Sequence, residues 1–551
     1  MPQSAAELFV RCLEAEGVSH IFGLPGEENE DMLFALEGSK VQFVSTRHEQ
    51  GAAFMADVWG RVTGRAGVCL ATLGPGATNL LTGLADAALD KSPVVAITAQ
   101  GSSERLHKES HQAIDIVSIF RPIAKWNISI QRPQIIPEAV RKAFKLAQAE
   151  KPGVTHLELP EDIAKEPTAG EPLMPIAVRR PGPDYKALAL ALELLKGARR
   201  PLIIAGNGAI RKLAAKHLSL FVAATNIPVV ATFMGKGAVS DRDPHVLSTI
   251  GVRGRDYPLC AIEQADLIIT VGYDVAEYDP MFWNSNTKRP IIHIDFTPAE
   301  VYATYQPTVE VVGDISATMW ALQQQAATSG LPFYSSWYAP IRQAIEADLA
   351  EYAKQEGKSP TVPFVLSRLR RVLRDDDIIV SDVGAHKMWI GRNFPVYTPG
   401  SCIISNGFAS MGIAVPGGLA AKLAHPTRRV VAVTGDGGFL MNSQELATAQ
   451  RLRVPYTIVI LNDNDYGLVT WKQQAHRQHS FGTALTNPDF VKYAESFSIQ
   501  AYRPKTLVEV EQALRAAVDS NTLAIVAIDI DAAENLRLSE KLDQNLCTML
   551  R

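Results

Sequence analysis

The sequence predicts an α/β protein built from three doubly wound, parallel-sheet domains. Short apolar runs rich in Val and Ile alternate with helical patterns along the whole chain. Each run ends in Gly, Asp, Asn or another turn-forming residue, which is the pattern of parallel strands buried on both faces. Two Pro-containing stretches then cut the chain into blocks of domain size.

The clearest strands, in order, are Val41–Ser45, Val68–Thr72, Val94–Thr98, Leu202–Ala205, Leu267–Val271, Ile291–Ile294, Ile378–Ser381, Val430–Thr434 and Thr457–Leu461. Helical spacing covers Pro137–Ala149, Ile341–Lys354 and Ser443–Leu452. Lys165–Tyr185 carries Pro167, Pro172, Pro175, Pro181 and Pro183, and Gln323–Pro363 opens and closes with polar, Gly- and Pro-containing sequence. Proline breaks helices and ladders alike, so both stretches suit crossings between domains. The expected domains are 1–168, 185–330 and 360–551.

Composition narrows the class. The chain has 551 residues, 47% hydrophobic and 20% charged, which supports large cores and excludes bulk disorder. With 54 Lys+Arg against 58 Asp+Glu the net charge is −4, so there is no basic footprint for nucleic acid or an anionic membrane. Cys12, Cys69, Cys260, Cys402 and Cys547 are odd in number, far apart, and never form CxxC. Neither a disulfide framework nor a zinc knuckle is expected, and a reducing compartment is. No signal peptide or bilayer-spanning run is read, so the expected setting is cytoplasmic.

The strongest chemical signal lies in the third block. The run Val430–Thr434 is followed by Gly435-Asp436-Gly437-Gly438. The run Thr457–Leu461 is followed by Asn462-Asp463-Asn464-Asp465-Tyr466-Gly467. The two carboxylates stand about one βαβ unit apart. A right-handed crossover puts both strand ends on one edge of the sheet, where doubly wound folds bind ligands. Asp436, Asp463 and a backbone carbonyl near Asp465 offer oxygens to a hard cation, Mg²⁺ or Ca²⁺. Gly435, Gly437 and Gly438 permit close approach of backbone N–H groups to an anion. By itself Gly-Asp-Gly is equally a strand-end turn; the paired strand end favours a metal-diphosphate site.

This pair of strand ends resembles the binding motif of the thiamine diphosphate (ThDP) enzymes, with Asn-Asp where that family usually has Asn-Asn. A second resemblance follows the strand ending at Ser45, where His48-Glu49-Gln50-Gly51-Ala52-Ala53 begins a helix of small residues. Alone, Glu49 is an acid complementing a helix dipole. Beside the metal motif it matches the family's activating glutamate, which hydrogen-bonds the pyrimidine ring. The resemblance implies the ThDP-enzyme fold, with pyrimidine-binding, central and diphosphate-binding domains. It implies cofactor contacts from Pro25 and Gly26, from Gly74 and Asn79, from Ala385 and His386, and from Ala409 and Met411. It extends them to Gly435, Gly437, Gly438, Tyr466, Gly467 and Leu468. Asp436, Asp463 and Asp465 become the Mg²⁺ ligands. Gly206-Asn207-Gly208 lacks the third glycine of a dinucleotide turn and reads as structural.

Within that family, Gly272–Asn284, His111–Lys125 and Asn535–Leu542 are similar to acetolactate synthases, and to the catabolic, FAD-independent type among them. The implied reaction joins two pyruvates into 2-acetolactate and CO2, with Glu49, Gln112 and Lys125 as catalytic residues and no FAD. The runner-up is a ThDP decarboxylase, carboligase or lyase for another 2-keto acid or aldehyde. Lys472 stands where FAD-containing biosynthetic synthases carry a tryptophan, and Glu27 and Glu28 replace smaller residues. The resemblance also implies a homodimer at least, extending to a homotetramer, with the first and third blocks meeting across a subunit interface and no regulatory subunit.

Overall fold

The computed structural model of the chain describes residues 3–176, 180–211, 213–251, 256–284, 289–328, 330–354, 359–543 and 546–549. Three six-stranded sheets, all parallel, organise it. Each of the nine strands read from the sequence is present; Leu267–Val271 and Ile378–Ser381 match at both ends, and the others differ by a residue or two. The sheets lie within the three expected blocks.

The first sheet runs Gln42–Ser45, His20–Gly23, Gly67–Ala71, Val94–Gln100, Val154–Pro160, Ala124–Ser129. The third runs Cys402–Ile404, Ile378–Ser381, Val430–Gly435, Thr457–Asn462, Ala524–Asp529, Gln500–Tyr502. Both therefore follow the order 2-1-3-4-6-5 in their own sequence, a shared topology with no visible counterpart in the sequence. The middle sheet is ordered Val246–Thr249, Val229–Ala231, Pro201–Ala205, Leu267–Val271, Ile291–Asp295, Val309–Val312. That is the 3-2-1-4-5-6 order of dinucleotide-binding folds. In each sheet the order reverses between two central strands, and ligands bind at such a switch point beyond the strand C-termini.

The chain forms two compact units. One comprises 1–178, 407–427 and 439–455; the other comprises 179–406, 428–438 and 456–551. The third block is thus not a contact unit of its own. The reason lies in small residues. In the first unit, helix Ala414–Ala424 packs on helix Glu49–Thr63. The buried residues of the two helices include Gly51, Ala52, Ala53 and Ala56 in one and Gly417, Gly418, Ala420 and Ala421 in the other. Helix Pro75–Leu89 packs there too, and a Cβ on Gly83 would lie 2.6 Å from Ala53 Cβ. Backbones can approach only where side chains are this small.

In the second unit the middle and third sheets share one core, which includes Leu202, Ile268, Trp389, Val431 and Leu538. Arg392 ties it further. Its buried guanidinium donates to Asp256 at 2.9 and 3.2 Å and also bonds Asp348, which bonds Lys541. A Cys260–Cys547 disulfide spans a sequence separation of 287 residues, with Cα atoms 5.0 Å apart. This corrects the expectation of unpaired cysteines: spacing in the chain carries no signal for a contact made by the fold. Cys12, Cys69 and Cys402 are free and buried. No helix among the described residues is long and apolar enough to cross a membrane.

Candidate active site

In the first unit the functional side chains gather beyond the strand C-termini. Register pairs Gly23 with Ser45 and with Leu70, so the turns after these three strands share one edge. The turn after Ser45 leads into helix Glu49–Thr63, capped by His48, whose Nδ1 accepts the Gln50 N–H at 3.0 Å. Glu49 is buried at 8% exposure. Asn79, on the first turns of helix Pro75–Leu89, donates from Nδ2 to Glu49 Oε2 at 3.0 Å. Glu49 Oε1 faces Gly76, where a Cβ would come within 3.4 Å of it. The acid is thus fixed by one oxygen, with bare backbone beside the other.

The neighbouring turns supply the rest. Gly74 opens its helix at φ +49, and a Cβ there would strike the Gln112 carbonyl oxygen at 2.6 Å. Only glycine fits both demands. Gln112, itself exposed at φ +58, lies over that turn by its backbone. Pro25 is exposed, and a Cβ on Gly26 would lie 2.5 Å from Thr72 Cβ. Glu28 is held by Thr72 Oγ1 at 2.9 Å and Arg105 Nη2 at 3.4 Å, the same guanidinium that pairs with Glu161.

Lys125 does not join this edge. It begins strand Ala124–Ser129 at the end where Ala124 pairs with Val154, opposite the strand C-termini. Its ammonium donates to the Ala149 and Lys151 carbonyls at 2.9 and 2.7 Å. The sequence expectation of a catalytic Lys125 is corrected accordingly: strand direction carries it away from Glu49.

Ala409 and Met411 also belong to the first unit. Ala409 sits at φ +60, a left-handed conformation that costs a non-glycine residue on the order of 1 kcal/mol. Two carboxylates hold it. Asp90 accepts the Gly407 N–H at 2.5 Å, and Asp86 accepts the Ser410 N–H at 3.1 Å. Arg61 bridges Asp86, Asp90 and Asp57 beneath. Met411 is half-buried just beyond, and the Asn442 amide holds the Gly412 carbonyl at 2.9 Å.

The second unit carries the acidic cluster. Gly435 pairs with Leu461, so Asp436 and Asn462 stand side by side where the strands end. Asp436 is buried and accepts the Gly437 N–H at 3.0 Å. Burial raises its carboxyl above the ordinary range. Burial, and then the charge of Asp436, pushes Asp463 up to about 7. A Cβ on Gly467 would lie 2.5 Å from Asp463 Oδ2. Asp465 spends its carboxylate on Thr470 Oγ1, 2.8 Å from each oxygen, which leaves its backbone carbonyl as the group to offer a cation.

Asn487 escaped the sequence reading. Its Nδ2 donates to Asp436 Oδ2 at 2.6 Å and to Asn462 Oδ1 and Asn464 Oδ1 at 3.1 Å. Its sequence context, Thr-Asn-Pro-Asp, reads only as a turn before a helix. It borders a polar cavity of about 460 Å³ lined also by Asp463, Asp489, Arg503 and Asp529.

The switch point of this sheet faces strand Ile378–Ser381. The following helix, Ala385–Asn393, begins with buried Ala385 and His386. Burial drives the His386 imidazole down to about 4, so it is neutral, and its Nε2 is buried without a hydrogen-bond partner. A Cβ on Gly384 would touch that ring at 2.8 Å, and one on Gly435 at 3.6 Å. A Cβ on Gly437 would meet the Tyr466 ring at 2.8 Å, and one on Gly438 would meet Asp382 Oδ1 at 2.8 Å. Leu468 packs partly buried against the core.

These residues fit an Mg²⁺-diphosphate group. The open nitrogen of His386 and the Gly438 backbone in the first turn of helix Asp436–Asn442 suit phosphate oxygens. Among the described residues no three His, Cys, Asp or Glu side chains form a closed metal cluster. Two carboxylates and a carbonyl instead suit a hard cation that shares its remaining ligands with phosphate.

Comparison with known proteins agrees. Residues 3–119 match the N-terminal TPP binding domain of thiamine pyrophosphate enzymes, 188–322 their central domain, and 382–528 their C-terminal TPP binding domain. The chain is 34% identical to an acetolactate synthase of Bacillus subtilis (strain 168), over 99% of this chain and 96% of that protein. It is 34% identical to the acetolactate synthase isozyme 2 large subunit of Escherichia coli (strain K12), over 97% and 96% of the two chains. It is equally 34% identical to a catabolic acetolactate synthase of Raoultella terrigena, over 96% and 95%.

Proposed function

The chain belongs to the family of thiamine diphosphate-dependent acetolactate synthases, and from that premise we propose that it decarboxylates one pyruvate and joins the remainder to a second, giving 2-acetolactate and CO2. The observation that carries the reading is the buried Glu49, pinned through Oε2 by Asn79 and open at Oε1 beside Gly76. A carboxyl group so held can share a proton with a ring nitrogen in a dry pocket. The cofactor, when bound, supplies the carbon nucleophile and the electron sink.

The chain's own residues have the tasks of binding and orientation. Glu49 holds the proton at the pyrimidine nitrogen, with Pro25, Gly26, Gly74 and Asn79 around that end. Ala409 would offer backbone polar groups to the same ring, fixed by the Asp86 and Asp90 bonds, and Met411 would give the cofactor an apolar support. Asp436, Asp463 and the Asp465 carbonyl hold Mg²⁺. Ala385, His386, Gly435, Gly437 and Gly438 take the diphosphate, and Tyr466, Gly467 and Leu468 line the same side. Gln112 stands at the substrate side of the Gly74 turn.

The catabolic, FAD-free type is supported by the middle sheet. Its switch point carries the turn Gly206–Gly208, where a dinucleotide phosphate would bind. The Glu277 carboxylate already accepts the Asn207 N–H at 3.0 and 3.1 Å and is bonded by Thr232, so an anion site there is filled from within. We further assign the working form as a homodimer or homotetramer in the cytoplasm, without a regulatory subunit.

The test is incubation of the purified protein with pyruvate, ThDP and Mg²⁺. The reading predicts acetolactate, made only when all three are present. Acetaldehyde as the sole product would favour the decarboxylase or lyase reading, and no pyruvate consumption would refute both.

A further inference from the structure

We propose that Glu445, which the sequence reading did not single out, is a positioning residue for Glu49. It opens helix Glu445–Leu452 and is fully buried within the first unit. Its Oε1 accepts the N–H groups of Arg47 and His48, each at 3.0 Å. Oε2 accepts the Arg47 N–H at 3.2 Å and the Thr448 hydroxyl at 2.6 Å. The two backbone donors are the peptides that lead directly into Glu49.

Three features give this contact its meaning. The carboxylate lies at the N-terminus of helix Glu49–Thr63, where the helix dipole favours negative charge. It is fitted closely: a Cβ on Gly51 would come within 2.8 Å of Glu445 Oε1, so this turn needs glycine for the acid to enter. The same helix grips the turn a second time, because Arg451 Nη2 donates to the Ser45 carbonyl at 2.6 Å. Helix Glu445–Leu452 therefore clamps the segment between strand and helix at both ends. Loss of the carboxylate would take the shared acceptor from two N–H groups in a partly buried turn, and the backbone would shift to recover partners. Glu49 would move with it, and a misplacement near 1 Å is enough to cost about 100-fold in rate.

The proposal rests on Glu49 being the activating acid, and its test separates the two claims. Three variants are compared: Glu445→Ala, Glu445→Gln and Gly51→Ala. We expect Glu445→Ala to lower kcat at least about tenfold while KM for pyruvate changes little. Glu445→Gln should recover most of that loss, since an amide oxygen can still accept both N–H groups. Gly51→Ala should match Glu445→Ala, and the double variant should be no worse than either. A second readout needs no cofactor: amide hydrogen exchange at Arg47 and His48 should quicken in Glu445→Ala and stay near wild type in Glu445→Gln. Unchanged kcat in a folded Glu445→Ala, or equal damage from Ala and Gln, would overturn the proposal. Full activity of Glu49→Gln would instead sink the reading of Glu49, while the exchange rates would still decide whether Glu445 anchors the turn.

Discussion

Asn79 donates a 3.0 Å hydrogen bond to Glu49, joining the first turns of two helices that follow different strands of the same sheet. The bond engages only Oε2, so it orients the acid without occupying both oxygens. We expect Asn79→Ala to lower kcat by about 10- to 150-fold, as loss of one bond to a charged group is worth roughly 1.5–3 kcal/mol. Asn79→Asp should be worse, because it places a second carboxylate against the first. Steady-state kinetics with pyruvate, at saturating ThDP, would show it.

Mg²⁺ binding at the Asp436–Asp463 pair should be pH-dependent. Asp463 is raised to about 7, so in the cation-free protein its proton is retained up to that value. A carboxyl whose folded pKa lies above its unfolded one stabilises the fold at low pH, and that contribution is lost as pH rises through about 7. A cation needs the ionised form and reverses the loss. The rise in thermal midpoint produced by Mg²⁺ should therefore be larger near pH 8 than near pH 6. Asp463→Asn should flatten the difference, and Asp436→Ala should remove Mg²⁺-dependent ThDP binding in calorimetry.

Arg392 should be indispensable to the second unit. Its guanidinium is buried between Asp256 and Asp348, so truncation strands the Asp256 carboxylate and leaves Asp348 with Lys541 alone. Arg392→Ala should cost about 3–5 kcal/mol in denaturant unfolding. Breaking the Arg242–Asp375 pair, on the surface, should leave the unfolding transition close to that of the unmodified protein.

Reduction of Cys260–Cys547, or Cys547→Ser, should lower stability by about 2–5 kcal/mol, since the bond closes a very long loop. The check is a thermal melt with and without reductant, in which the Cys547→Ser variant should show no response to reductant from this pair.

The chain made some of this legible and hid the rest. Strands such as Val430–Gly435 are apolar on both faces, and that pattern is local, so the three sheets could be read directly. Asp436 and Asp463 announced themselves because both close such strands. Asn487 did not: its sequence context is an ordinary turn, and only folding brings it to Asp436. Asp86 and Asp90 were hidden likewise, as acids at the C-terminal end of helix Pro75–Leu89 whose partners Ser410 and Gly407 lie far along the chain. Lys125 misled because resemblance in sequence does not record strand direction, which puts it at the wrong end of its sheet. The disulfide was invisible because no rule of spacing reaches from Cys260 to Cys547.

The most direct measurement is turnover of pyruvate by Glu49→Gln beside the unmodified protein, at matched ThDP and Mg²⁺. Loss of acetolactate formation by about 10²–10⁴-fold, with an unchanged melting transition, is the predicted result; full activity in the variant would contradict the account.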